Sequence, residues 1–113
     1  MSQPRSLSAR DLQQRLQAGE PLILVDVREQ GELELAALPG VVHLPLGDSQ
    51  QWLGQLDQLL ARDKELVVLC HGGIRSWQFG CWLMETQGYS QVWNLEGGID
   101  AWSVQVDPKV PRY

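Results

Sequence analysis

The sequence predicts an α/β domain organised around a mostly parallel β-sheet with helices on both faces. Three observations lead there. Short, continuous apolar runs rich in β-branched residues, "PLILVDV" and "ELVVLC" among them, read as strands buried on both faces. Stretches of helical period separate these runs, so successive strands are joined by helical crossovers and lie parallel. The 113 residues suit one domain, residues 1–113, with no repeat, linker or low-complexity segment to divide it.

The first element expected is a helix in "ARDLQQRLQAG", with Leu12 and Leu16 four apart, Ser8 as N-cap and Gly19 as the stop. "PLILVDV" (21–27) is the first clear strand. "EQGELELAAL" (29–38) is a short helical candidate, weakened by Gly31 and ended by Pro39 and Gly40. "VVHLPL" (41–46) reads as a strand whose length Pro45 limits. "DSQQWLGQLDQLLARD" (48–63) is the clearest helix, with Trp52, Leu56, Leu59 and Leu60 on one face and Asp48 or Ser49 as cap. The strand "ELVVLC" (65–70), a glycine loop and the helix "RSWQFGCWLMETQG" (75–88) follow, Gly88 closing the last. "SQVWNL" (90–95) is the final strand, and "EGGIDAWS" (96–103) opens a last short helix. The tail "VQVDPKVPRY" reads as irregular chain.

Composition narrows the function. Apolar residues make up 43% and charged residues 20%, ordinary for a globular domain. A net charge of −5 argues against nucleic acid or an anionic membrane as partner, since both need a basic face. The opening residues hold no signal-like apolar stretch, and no run approaches the roughly 20 residues that span a bilayer. Two cysteines fit a reducing compartment rather than a disulfide scaffold, so a cytoplasmic location is expected. His43 and His71 stand apart and no Cys/His cluster has ligand spacing, so neither a metal nor another cofactor is expected.

The chemistry concentrates in "LCHGGIRSW". Ligands of parallel sheets bind beyond the carboxyl ends of the strands, and Cys70 stands at such an end. A thiol is mostly protonated at neutral pH, and only the thiolate is a good nucleophile. Gly72 and Gly73 let backbone N–H groups turn inward as an anion-binding concavity. The helix beginning near Arg75 adds its positive end, and the guanidinium adds a full charge. His71 is a possible further donor, or a passive surface group.

From Cys70 to Arg75 the pattern is C-x4-R, followed by Ser76, and this stretch resembles the active-site loop of the rhodanese family. The resemblance extends along the chain. "LVDVRE" (24–29) resembles the family's second-strand signature, "LPGVVHLPL" its third-strand segment, and "VWNLEGGIDAW" its closing strand and helix. Membership implies a rhodanese-like fold, with five parallel strands and helices on both faces. It implies a sulfurtransferase in which the Cys70 thiolate takes the outer sulfur of thiosulfate or a similar donor. The resulting persulfide passes that sulfur to a thiol or protein acceptor. By carry-over, His71, Gly72, Gly73, Ile74, Arg75 and Ser76 cradle the persulfide and the leaving anion. One departure stands out: where members often carry a Gly-His pair, this chain has Ala36 and Ala37.

Competing readings exist. A phosphatase or arsenate reductase on a related scaffold typically has a C-x5-R loop, one residue longer than this one. A non-catalytic interaction module usually lacks the cysteine that this chain keeps. Cys81, within "WQFGCWLM", reads as a packing residue with no nearby charge, a resolving thiol being the alternative. Asp26 and Arg28, near the site, read as a structural ion pair or as backbone hydrogen-bonding groups, with shaping of the pocket the other reading. Gly97 and Gly98 bring the last loop towards the pocket or simply turn into a helix. Of the five tryptophans, Trp77 is the one placed to line the pocket mouth, the rest serving as core or cover.

Overall fold

The computed structural model describes residues 2–113. Five strands, β1 (Arg5–Leu7), β2 (Ile23–Asp26), β3 (Val42–His43), β4 (Leu66–Leu69) and β5 (Val92–Leu95), form one sheet in the order β1-β5-β4-β2-β3. Every neighbouring pair is parallel. The register sets Val25 opposite Val68 and Val68 opposite Asn94, which brings the carboxyl ends of β2, β4 and β5 to one edge.

Alternation along the strands sorts the core into two layers. Val25, Val27, Leu66, Val68 and Cys70 pack on one face with Phe79, Leu83, Trp52 and Leu56. Leu24, Val67 and Leu69 pack on the other with Leu12, Ile99 and Trp102. The helices supplying these layers are α1 (Ala9–Gln17), α3 (Leu56–Leu59), α4 (Ile74–Glu85) and α5 (Gly98–Gln105), while α2 (Gln30–Leu35) buries none of its residues. The two-faced α/β architecture expected from the sequence is therefore present. No helix among the described residues is long and apolar enough to cross a membrane.

Two helix ends follow the sequence chemistry. The Ser8 hydroxyl accepts from the Asp11 amide at 3.1 Å, and Gly19 turns the chain at φ +77° after α1. Gly88, at φ +75°, lets the Tyr89 amide reach back to the Leu83 carbonyl at 3.0 Å beyond α4.

The segment 48–63 departs from expectation. It is not one amphipathic helix but 3₁₀ turns over Leu46–Gln51 and Leu53–Gln55, then the single turn α3. Asp48 (φ −128°, ψ 33°) and Trp52 (φ −121°, ψ −16°) leave helical geometry. The cause is packing: the Trp52 indole donates to the Pro45 carbonyl at 2.9 Å and meets Phe79 edge-on at 5.8 Å. Burying that ring outweighs the modest gain of continuing a helix through Gly54. Neither Asp48 nor Ser49 caps a helix here, although Trp52, Leu56 and Leu60 are buried as the apolar spacing requires. The candidate helix 29–38 is also shorter, ending at Leu35 with Ala36 already extended. Strand β1 carries no sequence signal of its own, because three residues with two exposed show no periodicity.

Candidate active site

The polypeptide leaves β4 at Leu69, turns through Cys70–Gly73 and enters α4 at Ile74. Gly73 is the N-cap of α4 at φ +106°, a left-handed conformation that favours glycine. A side chain there would also press on the Gly97 amide nitrogen at 3.3 Å. This turn folds the first residues of α4 back over the thiol. The Gly73 amide lies 3.1 Å from Cys70 Sγ and the Ser76 hydroxyl 3.3 Å from it.

Cys70 is 1% exposed, so its sulfur sits at the floor of the loop. Burial pushes the thiol's pKa up. Hydrogen bonds from the Ser76 hydroxyl and from the Ser76 and Gly73 amides outweigh that effect, Arg75 adds its charge, and the net shift is downward. Cys81 is moved the other way, by burial and then by Glu85, a charge one helical turn further on that corrects the expectation of none nearby. Half-buried and without donors of this kind, Cys81 lacks the setting that makes a thiol reactive.

The back of the loop is closed by α5. The Ile99 and Asp100 amides donate to the carbonyls of Cys70 (2.9 Å) and His71 (3.1 Å). Gly97 and Gly98, at φ +75° and +63°, permit this approach; a β-carbon on Gly98 would overlap both carbonyl oxygens. Gly98 thus lies against the loop while Gly97 caps α5, so both roles the pair's sequence allowed are present.

Arg75 has a firm partner. Its two terminal nitrogens each lie 2.8 Å from an oxygen of Glu32 on α2, a bidentate pair. That bond holds the Glu32 carboxyl down to about 2, despite the opposing effect of burial. The carboxylate neutralises much of the charge that Arg75 would otherwise offer an anion at Cys70. Arg75 therefore works first as a tie between α4 and α2, and its field at the sulfur is a secondary effect.

The remaining loop residues divide. Gly72 is exposed and the Ile74 side chain is 74% exposed, so their contribution is backbone. The His71 ring stacks on Tyr113 with centroids 4.2 Å apart. Trp77 is exposed and borders a depression of about 300 Å³ with Gly72, Gly73, Asn94 and Gly97. A more apolar groove of about 430 Å³ runs from Arg75 past Trp52, Leu53, Phe79 and Trp82. Asp26 and Arg28 are fully buried and paired at 2.8 Å, as a structural ion pair should be. Arg28 also donates to the Ala36 carbonyl (2.8 Å) and the Tyr113 hydroxyl (2.8 Å), bracing the segment after α2 and the tail.

Three residues of the site escape a sequence reading: Glu32, Asn94 and Tyr113. Glu32 had one visible signal, its place three residues after Glu29, whose amide donates to it at 3.0 Å. The Tyr113 hydroxyl donates to Glu32 at 2.9 Å from 81 residues away, which no local pattern reveals.

Comparison with known proteins agrees with the fold. The family model described as "Rhodanese-like domain" matches residues 8–105. A sulfurtransferase of Allochromatium vinosum is 34% identical over 97 residues, covering 86% of each chain. Rhodanese-like/PpiC domain-containing protein 12, chloroplastic, of Arabidopsis thaliana is 43% identical over 90 residues; these cover 80% of this chain and 30% of that relative. The crystal structure of a rhodanese-related protein from Thermoplasma volcanium superposes with a TM-score of 0.70 at 28% identity, covering 90% of this chain and 93% of the other.

Proposed function

This chain belongs to the rhodanese-like family, and from that premise we propose that it transfers sulfur through a persulfide on Cys70. The carrying observation is the setting of the sulfur: a buried thiol lowered in pKa by the Gly73 and Ser76 donors at the start of α4. Those donors favour the thiolate, and a persulfide one atom longer is an anion of the same kind.

With thiosulfate as donor, the Cys70 thiolate attacks the outer sulfur and forms a new S–S bond. The old S–S bond breaks and its electron pair leaves with sulfite. An acceptor thiolate then attacks the outer sulfur of the persulfide and departs as the new persulfide, returning Cys70 to its thiolate. No net oxidation occurs and no cofactor is required. The likeness to a named sulfurtransferase supports the reaction class, and the loop chemistry supports an anionic donor. The short loop, six residues from Cys70 to Arg75, favours one extra sulfur over a phosphate ester. We place the reaction in the cytoplasm, in keeping with two unpaired cysteines.

Steady-state transfer from thiosulfate to a thiol acceptor tests this reading. Wild-type protein should turn over, Cys70→Ser should not, and aryl phosphates should not be hydrolysed. Phosphatase turnover that disappears in Cys70→Ser would replace sulfur transfer with phosphate chemistry.

A further inference from the structure

Asn94, near the end of β5, is 6% exposed and lies within "VWNLEGGIDAW", outside the cysteine loop itself. Its amide nitrogen donates to the Gly73 carbonyl at 3.0 Å, and its amide oxygen lies 2.5 Å from the Ser76 hydroxyl. The Ser76 hydroxyl is in turn 3.3 Å from Cys70 Sγ, and the Gly73 amide is 3.1 Å from the same sulfur. Sulfur, Gly73, Asn94 and Ser76 therefore form a closed, buried ring of hydrogen bonds.

The ring constrains one proton. The Gly73 carbonyl can only accept, so the Asn94 amide must turn its NH₂ group towards it. That orientation leaves the amide oxygen facing Ser76. A hydroxyl has one proton to donate, and two acceptors compete for it: Asn94 Oδ1 and Cys70 Sγ. We propose that Asn94 is a positioning residue that holds the Ser76 hydroxyl proton away from Cys70 in the resting thiol and yields it when the sulfur becomes an anion. In the thiol form Ser76 donates to Asn94 and accepts from the S–H. In the thiolate form the hydroxyl swings to sulfur, leaving Asn94 Oδ1 without that donor in a buried place. Loss of a buried acceptor's partner has a cost, so Asn94 restrains ionisation while fixing the geometry of the donors.

The charged groups around the loop do not replace this contact. Asp26 pairs with Arg28 at the end of β2, Glu32 of α2 with Arg75 of α4, and Asp100 of α5 with Arg112. Tyr113 bonds to Arg28 and Glu32, and His71 stacks on Tyr113. Arg75 alone among them is a cause of the shift at Cys70.

The inference rests on Cys70 as the reactive thiol, but its test needs no sulfur donor. The pH profile of Cys70 alkylation by iodoacetamide, read by peptide mass spectrometry to separate it from Cys81, reports the ionisation directly. In Asn94→Val, which suits a strand, Ser76 is free to donate to sulfur at all times. The midpoint should fall by about one pH unit, the scale of one hydrogen bond to a charged acceptor. Adding Ser76→Ala to that variant should raise it again by about as much, whereas Ser76→Ala alone should move it by less than half of that. Asn94→Ser provides the same comparison should the valine variant fold poorly, as judged by circular dichroism. An unchanged or raised midpoint in the folded Asn94 variant would overturn the proposal. So would an equal effect of Ser76→Ala in both backgrounds. A protein that alkylates as expected but moves no sulfur from thiosulfate would count against the proposed reaction while leaving the ring intact.

Discussion

In the proposed reaction the chemistry falls on a single sulfur atom and the few donors around it. Cys70 and Cys81 are eleven residues apart in sequence, yet their thiols move in opposite directions, Cys70 down and Cys81 up. Both feel burial. Only Cys70 has the donors that outweigh it. The glycines decide whether those donors can be in place. Gly98→Ala would set a β-carbon against the Cys70 and His71 carbonyls at φ +63°, where an alanine is itself strained. This substitution should lower unfolding stability by at least about 2 kcal/mol, combining left-handed strain with the clash. Urea denaturation measures it, and an unchanged midpoint would mean that α5 does not press on the loop as described.

Among the elements, α2 and α4 are tied through Glu32 and Arg75, with Tyr113 and Arg28 closing the network. The pair has a pH signature. The Glu32 value in the folded chain lies near 2, below its ordinary 4.5, so its contribution is complete above pH 4.5 and fades as pH falls through 2. The Arg75 side chain is 37% exposed, and solvent screening limits that contribution to about 1 kcal/mol. Glu32→Gln should therefore be less stable at neutral pH, with a flatter stability curve between pH 4.5 and 2. Thermal melts across that range test it; parallel curves for the two proteins would remove the pair from the stability of the fold. The same network explains the limits of the loop's sequence. "CHGGIRS" advertises an arginine, but its partner lies 43 residues earlier in a weak helix signal.

At the scale of the whole molecule, the parallel sheet and the place of Cys70 at its carboxyl edge were legible, because burial on both faces writes continuous apolar runs. The helix expected over 48–63 was not realised, since its period is also satisfied by irregular turns that bury Trp52, Leu56 and Leu60. Strand β1 was illegible for a different reason: its three residues are ordered by pairing with β5, and pairing leaves no local pattern. The place of Cys70 and the turn at Gly73 were readable from glycine placement at a helix start, while Ser76 came only with the family resemblance. Asn94, Glu32 and Tyr113 were not readable, because their partners arrive from distant elements. The end of β4 and the start of α4 bring the Gly73 and Ser76 donors to one sulfur, and intact-protein mass spectrometry after exposure to thiosulfate examines that sulfur most directly. Wild type and Cys81→Ala should each gain the mass of one sulfur atom, lost again on adding a thiol, and Cys70→Ser should gain none; loading of Cys70→Ser to the wild-type level would contradict the assignment.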